Sequence, residues 1–446
     1  MYDITIIGAG VSSVFLAYTL LQTESGLSIH IIDKGKELSE RKCGLDEGKS
    51  CECEDGCSKY IGFAGLGMSE GKFNYTNDFG GELGKKIGKN RVSELMKEVD
   101  EILCYFGAEQ VDLYSTKNES LAARASAHSL KVLSTEVRHL GSNLALEVFQ
   151  NMYESIKDRI TFTFSAQVES LIKKDCFTIG TNQGNFHSEK LVLATGMSGS
   201  EWLASRTASL GLYPGKTRLD LGLRVEMKGD QLDSILKETF ETKLQYRDRG
   251  YTSTTYCMNP KGRIIRKYQH GLVMADGQNQ HEKEVPSTNL NFTLFTPRHF
   301  HSYDAAMKEA KRVIGGINDK RERVVVQRLE DLKKNTATSC IENNLIRPSL
   351  KGDTGNLNDE VPGLYIETLL HFFEALEGLM GETIHPDTLL YGMDAKFYEP
   401  KIYTNEKFET EIPGLYLAGD CSGDTHSLSQ AAASGIYLGK LLRQKN

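Results

Sequence analysis

Ile4-Thr5-Ile6-Ile7-Gly8-Ala9-Gly10-Val11-Ser12-Ser13 opens the chain with a β-branched run, a glycine turn and the start of an apolar stretch. The run predicts a strand, and Val11 to Gln22 predicts a helix directly after the turn. In this G-x-G-x-x-S pattern Gly8 permits a tight turn, and Gly10 lets the backbone approach a diphosphate with no Cβ in the way. Ser13 stands where a third glycine is usual and is small enough to keep helix and strand close. The helix start offers free N–H groups to an anion. Ser28 to Ile32 predicts the second strand. Asp33 closes it, where a carboxylate can accept hydrogen bonds from ribose hydroxyls. Set in a strand-turn-helix-strand-acid unit, the motif implies dinucleotide binding.

Outward from this unit, residues 35 to 90 are rich in Gly and Cys and predict loops or extended chain. Val92, Leu95, Met96, Val99, Ile102, Leu103 and Phe106 mark one face of an amphipathic helix. A second helix is expected from Asn143 to Ile156. Strands are expected at Thr161 to Phe164, Val168 to Ile172, Phe177 to Gly180 and Lys190 to Ala194. From about residue 216 the texture changes. Leu219, Leu221, Leu223 and Val225 alternate with Asp220, Gly222, Arg224 and Glu226, which predicts a half-buried strand. The segment 216–385 carries no phosphate-binding motif and suits a substrate or cap domain. The last sixty residues return to strand, glycine turn and helix. At 446 residues the chain exceeds one compact core. The expected division is 1–215 and 386–446 for the nucleotide-binding domain, with 216–385 inserted.

Two further segments bear on the cofactor. Lys190-Leu191-Val192-Leu193-Ala194-Thr195-Gly196 is an apolar strand ending in Ala-Thr-Gly. Pro413-Gly414-Leu415-Tyr416-Leu417-Ala418-Gly419-Asp420 runs into Gly-Asp, followed by the small-residue stretch Ser429 to Gly435. In this order the motifs resemble the two-dinucleotide-binding-domain flavoproteins, the glutathione reductase-like superfamily. The resemblance implies an α/β fold: a Rossmann-like FAD-binding domain with an inserted mixed α+β substrate or cap domain. By it, Thr195, Gly196, Gly419 and Asp420 sit beside FAD, and the last helix points its N-terminus at the flavin ring. Gly8, Gly10, Ser12, Ser13, Asp33, Lys34, Arg41, Val168, Ser429 and Gln430 join them as expected cofactor contacts.

A closer similarity is to a bacterial group of FAD-dependent dehydrogenases. It is carried by Arg41-Lys42-Cys43, by Gly62-Phe63-Ala64-Gly65-Leu66-Gly67-Met68-Ser69-Glu70-Gly71-Lys72-Phe73, and by His139 to Asn143, Gly196 to Leu203 and Asp220 to Glu226. Tyr256 to Pro260 and Val326 to Asp331 extend it over almost the whole chain. The chain departs from that group by one glycine fewer in the 62–72 stretch, by Glu70 for Asp, and by Gly419-Asp420 where Gly-Glu is usual. The resemblance implies an FAD-dependent oxidoreductase, a dehydrogenase or reductase acting on a small organic molecule. Alternatives are a flavin monooxygenase, an electron-transfer or redox-sensing protein, and FAD held as a purely structural element.

Cys43, Cys51, Cys53 and Cys57 fall within fifteen residues as C-x7-C-x-C-x3-C. Four thiolates so close could hold zinc or an iron–sulfur cluster, exchange disulfides, or stay unliganded. Gly65, Gly67 and Ser69 allow close approach to the flavin or diphosphate, and Lys72 is a candidate for the flavin edge. Tyr256, Cys257 and His270 are candidates from the inserted domain. No second G-x-G-x-x-G follows a strand, so NAD(P)H would bind transiently at the flavin, and a redox partner protein is an alternative electron source. The formal net charge of -7 supplies no broad basic field for nucleic acid. With neither a signal sequence nor a membrane span in view, the expectation is a soluble, cytoplasmic protein.

Overall fold

The first apolar run forms the strand Tyr2–Ile7, and the glycine turn hands the chain to the helix Val11–Leu21. The structure, a computed structural model, describes residues 1–23, 26–42, 60–239, 242–248, 250–278, 287–398 and 401–444. Tyr2–Ile7 sits inside a seven-stranded sheet. Ile29–Ile32 and Gly184–Leu193 flank it in parallel, with Ile4 opposite Ile29 and Ile7 opposite Leu193. Thr161–Thr163 extends one side, and Leu415–Leu417 pairs in parallel with Leu191 to Leu193. Phe177–Thr181 and Val168–Lys173 continue as antiparallel strands. Parallel neighbours need crossover connections, and the buried first helix is one of them. This is the expected Rossmann-like α/β fold.

The last helix, Leu428–Leu442, lies against the first. Its small residues set the distance. A Cβ on Gly435 would stand 2.1 Å from the Ser12 carbonyl oxygen, and one on Gly439 would stand 2.8 Å from Thr19 Cβ. The Ser429–Gly435 stretch therefore serves helix packing as well as any ligand.

The chain divides into two compact units, residues 1–115, 135–215 and 399–446, and residues 116–134 and 216–398. The boundary expected at 385 falls later because Leu389–Phe397 pairs with the strand Thr217–Lys228. Residues 116–134 leave the first unit because Leu130–Leu133 pairs with Lys243–Asp248. The second unit is built on an eight-stranded sheet, and a separate hairpin joins Arg263–Gln269 to Leu272–Gln278.

Thr217–Lys228 corrects the half-buried expectation. Leu219, Leu221, Leu223, Val225 and Met227 pack with residues of the helices Tyr303–Asn318 and Gly363–Met380. The alternate residues Asp220, Arg224 and Glu226 are buried as well, at 1% exposure or less. Alternation marks two chemically different faces and does not say that either meets water. Among the described residues no helix is long and apolar enough to cross a membrane.

His30 in the second strand is fully buried between the rings of Tyr2 and Phe186, with Nε2 2.8 Å from Thr163 Oγ1. Burial lowers its pKa from 6.5 to about 4. The unfolded chain then binds a proton that the folded chain refuses, so stability rises with pH across that window. Denaturant unfolding at a series of pH values is expected to show a slope of up to about 1.4 kcal/mol per pH unit from this group. His30→Gln, which keeps a polar partner for Thr163, is expected to remove that slope.

Candidate functional site

The glycine turn is held in place by an acid. Asp33 accepts hydrogen bonds from the N–H groups of Ala9 and Gly35, each at 2.6 Å, one on each carboxylate oxygen. It is 9% exposed, and burial raises its pKa against those hydrogen bonds. A carboxylate has about four acceptor positions, so two backbone donors leave room for ribose hydroxyls.

A second loop is stitched to the same turn. Ala64 N–H donates to the Ala9 carbonyl at 2.8 Å, and Phe63 N–H donates to the Lys36 carbonyl at 3.1 Å. The Arg41 guanidinium donates to the carbonyls of Phe63 and Gly65. Arg41 thus fastens the 62–65 backbone. Leu66 faces a cavity, whereas Gly67 and Ser69 serve the protein's own packing and bonding. A Cβ on Gly67 would stand 2.6 Å from the Phe149 ring, and Ser69 Oγ donates to the Leu66 carbonyl at 2.8 Å.

These segments enclose a cavity of about 380 Å³ within the first unit. Of the expected contacts, Gly8, Gly10, Ser12, Asp33, Lys34, Gly65, Val168, Thr195, Gly196 and Asp420 line it. Ser13, Arg41, Gly67, Ser69, Gly419, Ser429 and Gln430 do not. Gly419 N–H donates to Ser434 Oγ at 3.0 Å. The Gln430 amide donates to the carbonyls of Thr76 and Phe79, tying the last helix to that segment. Tyr60, Gln167, Trp202 and Leu428 also form the cavity's wall, and no motif of the sequence singles them out as contacts. The signal for Trp202 was its uniqueness, for it is the single tryptophan of the chain. Its indole N–H donates to the Val168 carbonyl at 2.6 Å and sets one wall.

The cavity has the features of an anion-bearing ligand's site. The first helix begins at Gly10 with no side-chain cap, so its leading N–H groups have no side-chain acceptor. A Cβ on Gly10 would meet nothing within 4 Å, and one on Gly196 likewise. Thr195 Oγ1 is buried without a hydrogen-bond partner among the described residues. Asp420 Oδ1 accepts from Thr425 Oγ1 at 2.7 Å.

The catalytic candidates are spread over both units. Lys72 lies on the strand Lys72–Tyr75 opposite His139 and is not on the cavity wall. In the second unit, Tyr256 is half-buried on Tyr251–Pro260, and Cys257 follows it in that strand. His270 occupies the exposed turn between the hairpin strands, its ring 4.7 Å from that of Phe397. Cys43, Cys51, Cys53 and Cys57 lie outside the described residues. Among the described residues no group of His, Cys, Asp and Glu has the arrangement of a metal site.

The sequence matches no protein-family model and no curated protein. Among solved structures it is similar to glycine oxidase from Geobacillus kaustophilus, at 13% identity over 100% of this chain and 95% of that one, with a TM-score of 0.39. Glycine oxidase from Bacillus cereus ATCC 14579 aligns at 13% identity over 100% and 96%, with a TM-score of 0.36. A point mutant of the halogenase PltM in complex with FAD aligns at 11% identity over 99% and 69%, with a TM-score of 0.38.

Gly8 has φ +103, and a Cβ there would stand 2.4 Å from the Ala194 carbonyl oxygen. Gly8→Ala combines a left-handed backbone with a backbone clash, so a loss of about 2–4 kcal/mol is expected. Equilibrium urea unfolding of the variant against the parent measures it.

Proposed function

We propose that the chain is an FAD-dependent oxidoreductase, a dehydrogenase or reductase acting on a small organic substrate, with FAD held in the cavity of the first unit. One observation carries the reading. The cavity joins an uncapped helix start and open space at Gly10 to an acid at each of two strand ends, Asp33 and Asp420. That donor set suits an anionic diphosphate flanked by hydroxyl-bearing chains. The resemblance of the Ala-Thr-Gly and Gly-Asp segments to those of flavoproteins favours FAD over NAD(P) as the resident group.

The residues divide the work. Gly10 and the first turn of the helix receive the diphosphate. Asp33 accepts from the ribose hydroxyls while it holds the glycine turn. Ala166, Gln167, Val168 and Trp202 wall the end nearest Asp33, and Trp202 keeps the Val168 carbonyl engaged. Asp420 would hold the ribityl chain or the diphosphate, and the partnerless Thr195 Oγ1 would be available to the cofactor. Bound FAD supplies the two-electron acceptor or donor; the protein positions the substrate and manages its proton. NAD(P)H would act as a transient reductant, and the partner is a small molecule rather than a polyanion.

Purified protein is expected to be yellow and to release FAD on denaturation. Colourless protein that FAD does not reconstitute would overturn the reading. Gly10 supplies the sharper test. Its φ of −71° is open to any residue, and an added Cβ touches nothing in the protein. Gly10→Ala is therefore expected to change stability by less than about 1 kcal/mol, the scale of a helix-cap substitution. It is expected to weaken FAD binding by roughly a hundredfold, since that Cβ fills the space for the diphosphate. Unfolding curves and flavin fluorescence titrations measure the two effects separately.

A further inference from the structure

The polar face of the second unit's sheet carries two clusters of charge, and they differ in balance. In the first, Arg224 lies 3.9 Å from Asp276, and Lys267 bonds Asp276 at 3.1 Å and Asp394 at 2.9 Å. Thr293 Oγ1 links Arg224 to Asp394. Two cations face two carboxylates, and the group is closed.

The second cluster lies at the Arg218 end of Thr217–Lys228. Arg218 makes a two-pronged bond to Asp220, at 2.6 and 2.7 Å, and the Tyr398 hydroxyl donates to Asp220 at 2.9 Å. That pair is neutral by itself. Lys396 lies opposite Asp220 in the sheet register, yet its ammonium turns to phenols instead. Its Nζ is 3.4 Å from the Tyr256 hydroxyl, 4.6 Å from the Tyr256 ring and 5.0 Å from the Tyr398 ring. Among the described residues no carboxylate lies within ion-pair distance of Lys396. Lys243 Nζ stands 4.9 Å from the Tyr256 ring. Tyr256 is steadied by an edge contact with Phe295, and the register with the neighbouring strand shifts just beyond it, the kind of bulge that re-aims a side chain.

We propose that Lys396 and the Tyr256 hydroxyl, with Lys243 beside the same ring, form a binding site for the carboxylate of a small organic acid. The Lys396 ammonium supplies the charge, and the hydroxyl donates a directional hydrogen bond. All three residues are half-buried, so the site is partly desolvated. That this acid is the substrate rests on the flavin reading; that the site takes a carboxylate does not.

The groups facing Tyr256 are Lys243 and Lys396, with Asp220, Arg218 and Tyr398 beyond them. Burial works to raise its pKa, but Lys396 and Lys243 outweigh burial and hold it below the ordinary 10. A bound carboxylate would offset the ammoniums and move the ionisation back up. By linkage, carboxylate affinity falls as pH rises through the Tyr256 titration.

The test uses the full-length protein as purified, labelled with 13Cζ-tyrosine, with propionate as the probe. Tyr256→Phe identifies the resonance by its disappearance. That resonance is expected to titrate earlier than ordinary tyrosines, to shift on addition of propionate and then to titrate later. Lys396→Met is expected to weaken propionate binding by roughly tenfold, and Lys396→Arg to restore most of it. A Tyr256 resonance indifferent to propionate, in protein whose other resonances match the folded state, would overturn the site. A propionate response in protein that never binds FAD would uphold the site and overturn its role in flavin chemistry.

Discussion

The Asp33 carboxylate is buried, and its two oxygens are shared between the N–H groups of Ala9 and Gly35. Removing a charged acceptor from a buried position leaves donors unsatisfied, at a cost of about 1–3 kcal/mol or more. The cavity wall hangs on that acceptor. Ala9 in turn accepts from Ala64 N–H, which positions the loop that Arg41 fastens from behind. On the other side, Gly8 is pressed against the Ala194 carbonyl, just before the Thr195-Gly196 corner. Three stretches far apart in sequence are thereby fixed to one turn, and the space between them is the cavity. The acid expected to serve a ligand serves the protein first, through the two N–H groups that it accepts from.

The second unit solves a different problem. Its central strand buries leucine and valine on one side and Asp220, Arg224 and Glu226 on the other. Buried charges are tolerable when each is paired and hydrogen-bonded. Glu226 meets this demand through Tyr391 at 2.7 Å and Asn289 at 2.8 Å, together with the Ser349 N–H. Asp220 meets it through Arg218 and Tyr398. The buried carboxylates of the face are each partnered, and Lys396, half-buried with phenols for neighbours, stands out beside them.

How far this was legible in the sequence depends on the range of the interaction concerned. The first strand, turn and helix are local, and Ile4 to Leu21 declared them through β-branching, paired glycines and an apolar run. The Gly-Asp corner was legible through its order after Ala-Thr-Gly. Arg41, Gly67 and Gln430 were found as residues of the right segments, yet their bonds run to the backbone or to packing partners. Sequence shows that a residue is near a site, but a long side chain can bond away from it. The domain boundary at 398 depended on Leu389–Phe397 joining a strand some 170 residues earlier. No local pattern encodes such a pairing. Period 2 in residues 219–226 gave the strand but not its surroundings, because a buried arginine and an exposed one read alike.

The same distinction governs the charge of the molecule. A net charge of -7 would suggest poor company for an organic acid. Yet charges beyond a Debye length, about 8 Å at physiological ionic strength, are largely screened. What an incoming carboxylate meets at Tyr256 is set by groups within a few ångströms. Arg218 and Asp220 cancel there, which leaves the Lys396 ammonium against a phenol that Lys243 also borders. A partly desolvated site magnifies that local excess, because the dielectric between the charges is lower than in water. The global sign governs solubility and non-specific association, whereas recognition belongs to the few side chains that the sheet register brings together.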